Sequence, residues 1–319
     1  MQGGKGLSFQ IPKNSYSGKI NELKLGTGDS QVLVGGETAL PFYTFEGENP
    51  NKPIVAMEVY DGKPSGWPEI VSKYFEDVFD DPIKWAKKNI EEYDADAICL
   101  KLTRINPDGE NMSPEDAAEI TKDLREAISK PLIVYGTGPI DKIAEVMKKV
   151  SEKNADSNIL MGWAEEDNYK TIAAAAMGYN NNVTSLNQLD VNIAKQLNIL
   201  LTQLGLPPDR IVMDPASSGL GYGLEYCHSA MERLKIAALL QDDKMTQMPI
   251  INDIAPEVWK VKEAKESQEN SPEWGDQEQR GINWEAISCV SLLLSGSNIL
   301  VMRHPKAVSL VKKLIDDLL

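Results

Sequence analysis

IVAMEVYD (54–61), AICLKLT (97–103), LIVYGTG (132–138), NILMGWA (158–164), NNNVTSL (180–186), RIVMDPAS (210–217), PIINDI (249–254) and NILVMR (298–303) are eight short apolar runs, most of which end in small or polar residues. Amphipathic helical stretches separate them, and one more follows the last. Strand and helix alternating in this way argue a parallel sheet with helical crossovers. Eight such units between residues 54 and 319 predict a (β/α)₈ TIM barrel. In that fold the loops after the strands carry the chemistry, so the count also says where to look.

Outward from that repeat, residues 1–53 read differently. Ile20–Leu25 and Gln31–Val34 are β-type runs around the turn-rich Gly26-Thr27-Gly28-Asp29, which predicts an amino-terminal β-hairpin. It suits either a plug over the open amino-terminal end of the barrel or a peripheral hairpin packed elsewhere. Helix starts are marked by Asp81-Pro82, by Ser113-Pro114-Glu115-Asp116 and by Arg303-His304-Pro305. The last helix, 306–319, puts Val308, Val311, Leu314, Ile315 and Leu318 on one stripe. One stretch breaks the rhythm. Residues 256–281, charged and interrupted by Pro272 and Gly275, form an acidic insertion after the seventh strand, before a helix expected near Ile282. Trp259 and Trp274 within it suit a lid or a partner-contacting arm; a solvated helix and loop is the plainer reading.

The chain has 319 residues, 42% of them hydrophobic, enough for one large core. A formal net charge of −15 repels a phosphate backbone, so no nucleic-acid partner is expected. No apolar run is long enough to span a bilayer, and MQGGKGLSFQIPK lacks a signal-peptide pattern, which together give a cytoplasmic expectation with no membrane partner. Cys99, Cys227 and Cys289 form no CxxC pair, and His228 and His304 are the only histidines. An iron–sulfur cluster or structural zinc site built by this chain alone is therefore not expected, nor any metal ligand set.

Alternation along the strands separates inward from outward side chains. Val55, Met57, Val59, Ile98, Leu100, Leu102, Ile211 and Met213 read as outward, against the helices. Ala56, Glu58, Tyr60, Ala97, Cys99, Lys101, Thr103 and Asp214 read as inward. Lys101 is then either a Schiff-base nucleophile or the ion-pair partner of Glu58 on the adjacent strand. The strand-end loops offer Thr103 and Asn106, Thr137 and Gly138, Asn180–Asn182, Ser185 and Asn187, Ser217, Ser218 and Gly219, and Asn252 and Asp253. Each alone is an ordinary strand terminator or helix cap. As a ring they form a surface of neutral hydrogen-bonding groups without a nucleophile–base pair. DPASSGLGYG (214–223), leading into a helix that holds Cys227 and His228, has neither P-loop nor dinucleotide spacing and hints only at a phosphate or amide.

MDPASSGLGYGLEYCHSAMERLKIAAL (213–239), IVAMEVYD (54–61) and the acidic arm after IINDIAPEVW (250–259) together resemble the small subunit of the corrinoid iron–sulfur protein of the anaerobic acetyl-CoA pathway. The resemblance covers nearly the whole chain. It implies a barrel related to pterin-binding methyltransferases, in a heterodimer whose large subunit carries the [4Fe–4S] cluster and most of the cobamide site. The cobamide, with its cobalt, would lie against the carboxyl-end face of this barrel, facing Thr103, Thr137, Gly138, Asn187, Ser217, Ser218, Gly219 and Asn252. Partners implied are that large subunit, the methyltetrahydrofolate:corrinoid methyltransferase and acetyl-CoA synthase/CO dehydrogenase. No catalytic residue is assigned here. The chain's few cysteines and its lack of a DxHxxG run agree with that division of labour. Competing readings are a pterin-dependent methyltransferase using Asp214, Asn252 and Asp253, an aldolase using Lys101, and a scaffold without cofactor contact.

Overall fold

The structure is a computed structural model that describes residues 10–221 and 223–319. Strands β1 (Glu22–Leu25) and β2 (Val32–Gly35) pair antiparallel, Leu23 opposite Val34. The next eight are parallel: β3 (Ile54–Tyr60), β4 (Ala97–Leu102), β5 (Leu132–Gly136), β6 (Leu160–Ala164), β7 (Asn182–Leu186), β8 (Ile211–Asp214), β9 (Ile251–Asp253) and β10 (Ile299–Met302). Their order is β8-β7-β6-β5-β4-β3-β10-β9. An isolated bridge between Met213 and Ile250 brings the two edges together, with the Met213 N–H donating to the Pro249 carbonyl at 2.8 Å. The protein is a (β/α)₈ barrel.

Eight long helices follow the barrel strands: α1 (Pro82–Glu91), α2 (Pro114–Ala127), α3 (Ile140–Lys153), α4 (Tyr169–Tyr179), α5 (Val191–Gln203), α6 (Leu224–Leu240), α7 (Gln277–Leu294) and α8 (Pro305–Leu318). The three expected starts are present. Asp81 accepts from the Ile83 and Lys84 amides, Ser113 from Asp116, and His304 from Lys306, each ahead of a proline. On α8, Val308, Val311 and Ile315 are buried, whereas Leu318 is exposed where the helix runs past the barrel. Helix α7 starts at Gln277, earlier than Ile282, because Asp276 caps it by accepting from the Gln279 amide at 2.7 Å.

Two apolar layers result. Val55, Met57, Val59, Ile98, Leu100, Leu102, Ile211 and Met213 join the helix faces in the outer layer. Ala56, Ala97, Cys99, Ile133, Tyr135 and Val212 fill the lumen together with Leu23, Leu25 and Val34 of the hairpin. The hairpin lies at the amino-terminal end, where Asn182 donates to the Lys24 carbonyl at 2.8 Å and Asn158 to that of Gly26 at 3.2 Å. Gly26 has φ +73°, and a Cβ there would sit 2.6 Å from the Ser30 carbonyl oxygen, so the turn needs glycine.

Candidate functional site

At the carboxyl end the lumen turns from apolar to charged. Glu58, Lys101, Asp214 and Arg303 are all buried, and Asp253 is nearly so. The pairing differs from the expected Lys101–Glu58 contact. Lys101 Nζ binds Asp253 of β9, and Glu58 Oε1 accepts from Arg303 Nε. Strand register explains this. Glu58 lies beside Cys99, one layer below Lys101, which lies beside Tyr60. On the other flank Met57 is level with Met302, so Glu58 is level with Arg303. The Arg303 guanidinium also lies 4.0 Å from the centre of the Trp67 ring.

These pairs decide the chemistry of Lys101. Burial would lower its pKa, but Asp253, helped by Cys99 and Glu58, more than offsets that and moves it up. The amine stays protonated and is no Schiff-base nucleophile. Asp214 is the odd charge. Burial first, then repulsion from Asp253, push its carboxyl up to about 7, although Trp163 and Ala216 donate to it.

The Trp163 ring is the roof of this cluster. Its Nε1–H donates to Asp214 at 2.9 Å, and its face stacks on Tyr135 with centroids 4.2 Å apart and planes 22° apart. Simple alternation from the lumen-facing Leu160 would send residue 163 outward. A register irregularity between Met161 and Ala164 on β6 brings the indole to the lumen side instead. Gly162 allows this close approach, since a Cβ there would sit 2.9 Å from Thr184 Cβ and 3.0 Å from the Tyr135 ring.

Asn180–Asn182, expected on the rim, instead lead into β7 at the amino-terminal end, and the residues expected to face a cofactor separate into three groups. Thr103 donates its amide and hydroxyl to Asp61 at 2.9 and 2.7 Å, a contact that fixes the loop after β4. Thr137, Gly138 and Ser218 are exposed, while the buried Gly219 packs its backbone against Gly223 and Cys227. Asn187, Ser217 and Asn252 are buried around the loops after β7 and β8. Asn252 donates to Ser217 at 3.5 Å, and because Ile251 and Asp253 face the lumen, it points to the helix side. The Asn187 amide donates to the Asp214 carbonyl at 3.0 Å, and Leu189 to that of Pro215 at 2.8 Å, tying the two loops together.

Those loops carry unspent polarity. Both amide atoms of Asn187 and the Oδ1 of Asn252 are buried without a partner. Gln188, Leu189 and Ala216 beside them have positive φ, 40°, 66° and 62°. Primary amides with free donor and acceptor positions are complementary to the amide side chains of a corrin periphery, so the residue set fits a cobamide placed against it. Among the described residues no group of three or more His, Cys, Asp or Glu has metal-site geometry. No described helix is long and apolar enough to cross a membrane.

Sequence reasoning missed several site residues. Arg303 reads there only as part of a helix start, and Trp163 and Glu285 carry no assigned role. Glu285 in fact sits buried on α7 and accepts from the amides of Arg303 and His304 and from Trp259 Nε1. Burial raises its carboxyl to about 7 despite these donors. It thereby joins the insertion to the end of β10. The insertion itself is ordered as short helices, Ala255–Lys260 and Lys262–Lys265, and is pinned by Arg280, which donates to the carbonyls of Glu263, Glu266, Trp274 and Gly275.

Comparison with known proteins agrees with the fold and sets the family. Dihydropteroate synthase from Vibrio fischeri superposes with a TM-score of 0.55 at 12% identity, covering 88% of this chain and 97% of its own. The Xanthomonas albilineans enzyme, solved with 4-aminobenzoic acid, gives 0.54 at 12% identity, covering 83% and 92%. At that identity the likeness is one of fold alone. In sequence, the acetyl-CoA decarbonylase/synthase complex subunit delta of Archaeoglobus fulgidus is 36% identical over 97% of this chain and 71% of its own length. The Methanocaldococcus jannaschii subunit delta is 34% identical over 97% of this chain and 76% of its own. The family model for the CO dehydrogenase/acetyl-CoA synthase delta subunit matches residues 22–314, and the chain belongs to that family.

Proposed function

We propose that this chain is the barrel subunit of a cytoplasmic corrinoid methyl carrier, closing one face of a cobamide held mainly by a larger, [4Fe–4S]-containing partner. When bound, the cobamide supplies the cobalt chemistry that carries a methyl group from methyltetrahydrofolate, through a separate methyltransferase, toward acetyl-CoA synthase/CO dehydrogenase. The observation that carries this reading is Asn187, in the loop after β7 that is tied to the loop after β8, whose buried side-chain amide atoms are unpaired, as is Oδ1 of Asn252 on the neighbouring β9. Leaving such atoms unmade costs about 1–3 kcal/mol each, which a ligand amide would recover.

This chain's residues orient and enclose. Neutral hydrogen bonds from Asn187 and Ser217 would position the ligand without placing a charge or a metal ligand on it, with Asn252 holding Ser217 from the helix side. Lys101–Asp253 and Glu58–Arg303 are paired beneath, so the lysine amine is not free there. Trp163 and Tyr135 keep water from that layer.

The test is hydrogen exchange on the co-expressed complex, with and without cobamide. Protection of residues 187–190 and 216–221 on loading is expected. Unchanged exchange there would end the reading. A second reading, a pterin-dependent methyltransferase, draws on Asp214, whose carboxyl lies near neutrality at the floor of the mouth. It requires saturable methyltetrahydrofolate binding by the cobamide-free complex.

A further inference from the structure

Trp163 is held more tightly than its place at a strand end requires. Tyr135 covers one face, Asp214 takes the indole N–H, and Asn168 fixes the backbone by donating to the Trp163 carbonyl at 3.0 Å. Asn168 in turn accepts from the Glu165 amide at 2.8 Å. Lys101 Nζ is 4.7 Å from the centre of Tyr135 and 5.4 Å from that of Trp163. With the ring centroids 4.2 Å apart, these distances place the ammonium beside the stack, between the levels of the two rings and not over the far face of the indole. Trp163 is only half-buried, and among the described residues no second aromatic ring stacks on it.

We infer that the free face of Trp163 is the platform on which a flat, uncharged conjugated ring rests at the barrel mouth. The platform is built before any ligand arrives, so little side-chain freedom is lost on contact. The two buried ion pairs neutralise their own charges, and the one odd carboxyl, Asp214, meets the indole at its N–H edge and not at its face. The bulge in β6 and the bare Gly162 are what bring the indole to this position. On the reading given above, the ring is the corrin of the partner-held cobamide, and the inference rests on that reading.

The experiment compares Trp163→Phe and Trp163→Leu in the co-expressed complex. Leu fills space without a π face, and Phe keeps one. Cobamide retention should fall about two- to tenfold in the Leu variant, the range of an aromatic contact. The Phe variant should stay within about twofold of the parent. The visible circular dichroism of the bound corrin should change with Leu and stay close to the parent with Phe. Equal retention and equal dichroism in both variants would overturn the inference. The two ideas fail separately. If cobamide leaves exchange at 187–190 and 216–221 unchanged in the parent complex, the functional reading fails. If those loops are protected and the two variants behave alike, only the Trp163 platform fails. Saturable methyltetrahydrofolate binding that needs the aromatic residue, with cobamide retention unaffected, would also overturn it.

Discussion

Lys101 of β4 and Asp253 of β9 form an ion pair across the lumen, although β3 and β10 stand between their strands in the sheet. The pair therefore braces the barrel from within. Lys101→Met leaves Asp253 buried and unpaired and should cost about 3–5 kcal/mol. Adding Asp253→Leu should restore most of that, as read by urea denaturation. Borohydride with a carbonyl compound should leave Lys101 unmodified at neutral pH, because Asp253 keeps the amine protonated. A trapped adduct at Lys101 would refute this.

Asp214 and Glu285, both buried with carboxyls pushed up to about 7, should make the protein less stable as the medium becomes alkaline. The sign follows from linkage. Their unfolded values are near 4, so between about pH 4 and 7 the native state binds more protons, and stability falls as pH rises. Asp214→Asn removes one of the two contributions. Relative to the parent, its denaturation midpoint should improve from pH 5 to pH 8, by on the order of 2–4 kcal/mol in free energy. A pH-independent difference would contradict the assignment.

Glu285→Ala removes one acceptor shared by two backbone amides and the Trp259 indole. A loss of about 3 kcal/mol or more is expected from the stranded donors. Faster hydrogen exchange should appear at residues 255–260 and 303–304. Glu285→Gln, which keeps an acceptor, should lose less.

Arg280→Ala should act locally. The guanidinium binds four carbonyls of the insertion, and without it residues 261–275 lose their anchor. Limited proteolysis should cut that segment more readily, while the thermal midpoint of the barrel changes by only a few degrees. Resistance equal to the parent's would show that the arm is held by other means.

The strand count and the side-chain directions of β3, β4 and β8 were legible because alternation is local and the apolar runs are long. Asp81, Ser113 and His304 as helix caps were legible for the same reason. Contacts across the lumen were not. Lys101 finds Asp253 through barrel curvature and stagger, which no single strand encodes, and Arg303 reaches Glu58 only because β10 returns beside β3. Trp163 was hidden by a bulge that reverses the alternation rule, although the glycine before it was a visible cue. Of the rim, Asn187, Ser217 and Asn252 come together, while Thr137, Gly138 and Ser218 stand apart in solvent and Thr103 is spent on Asp61. A list of polar strand ends cannot tell these cases apart.

The seam between β8 and β9 has a mechanical consequence. Seven joints of the wall are laddered, whereas this one is stitched at Met213 and Ile250. The glycine-rich loop and the tryptophan-bearing insertion spring from either side of that stitch. A cylinder fastened this way yields first along one line, so a partner pressing on the mouth would find its compliance concentrated where the neutral amides lie, while the opposite half stays rigid.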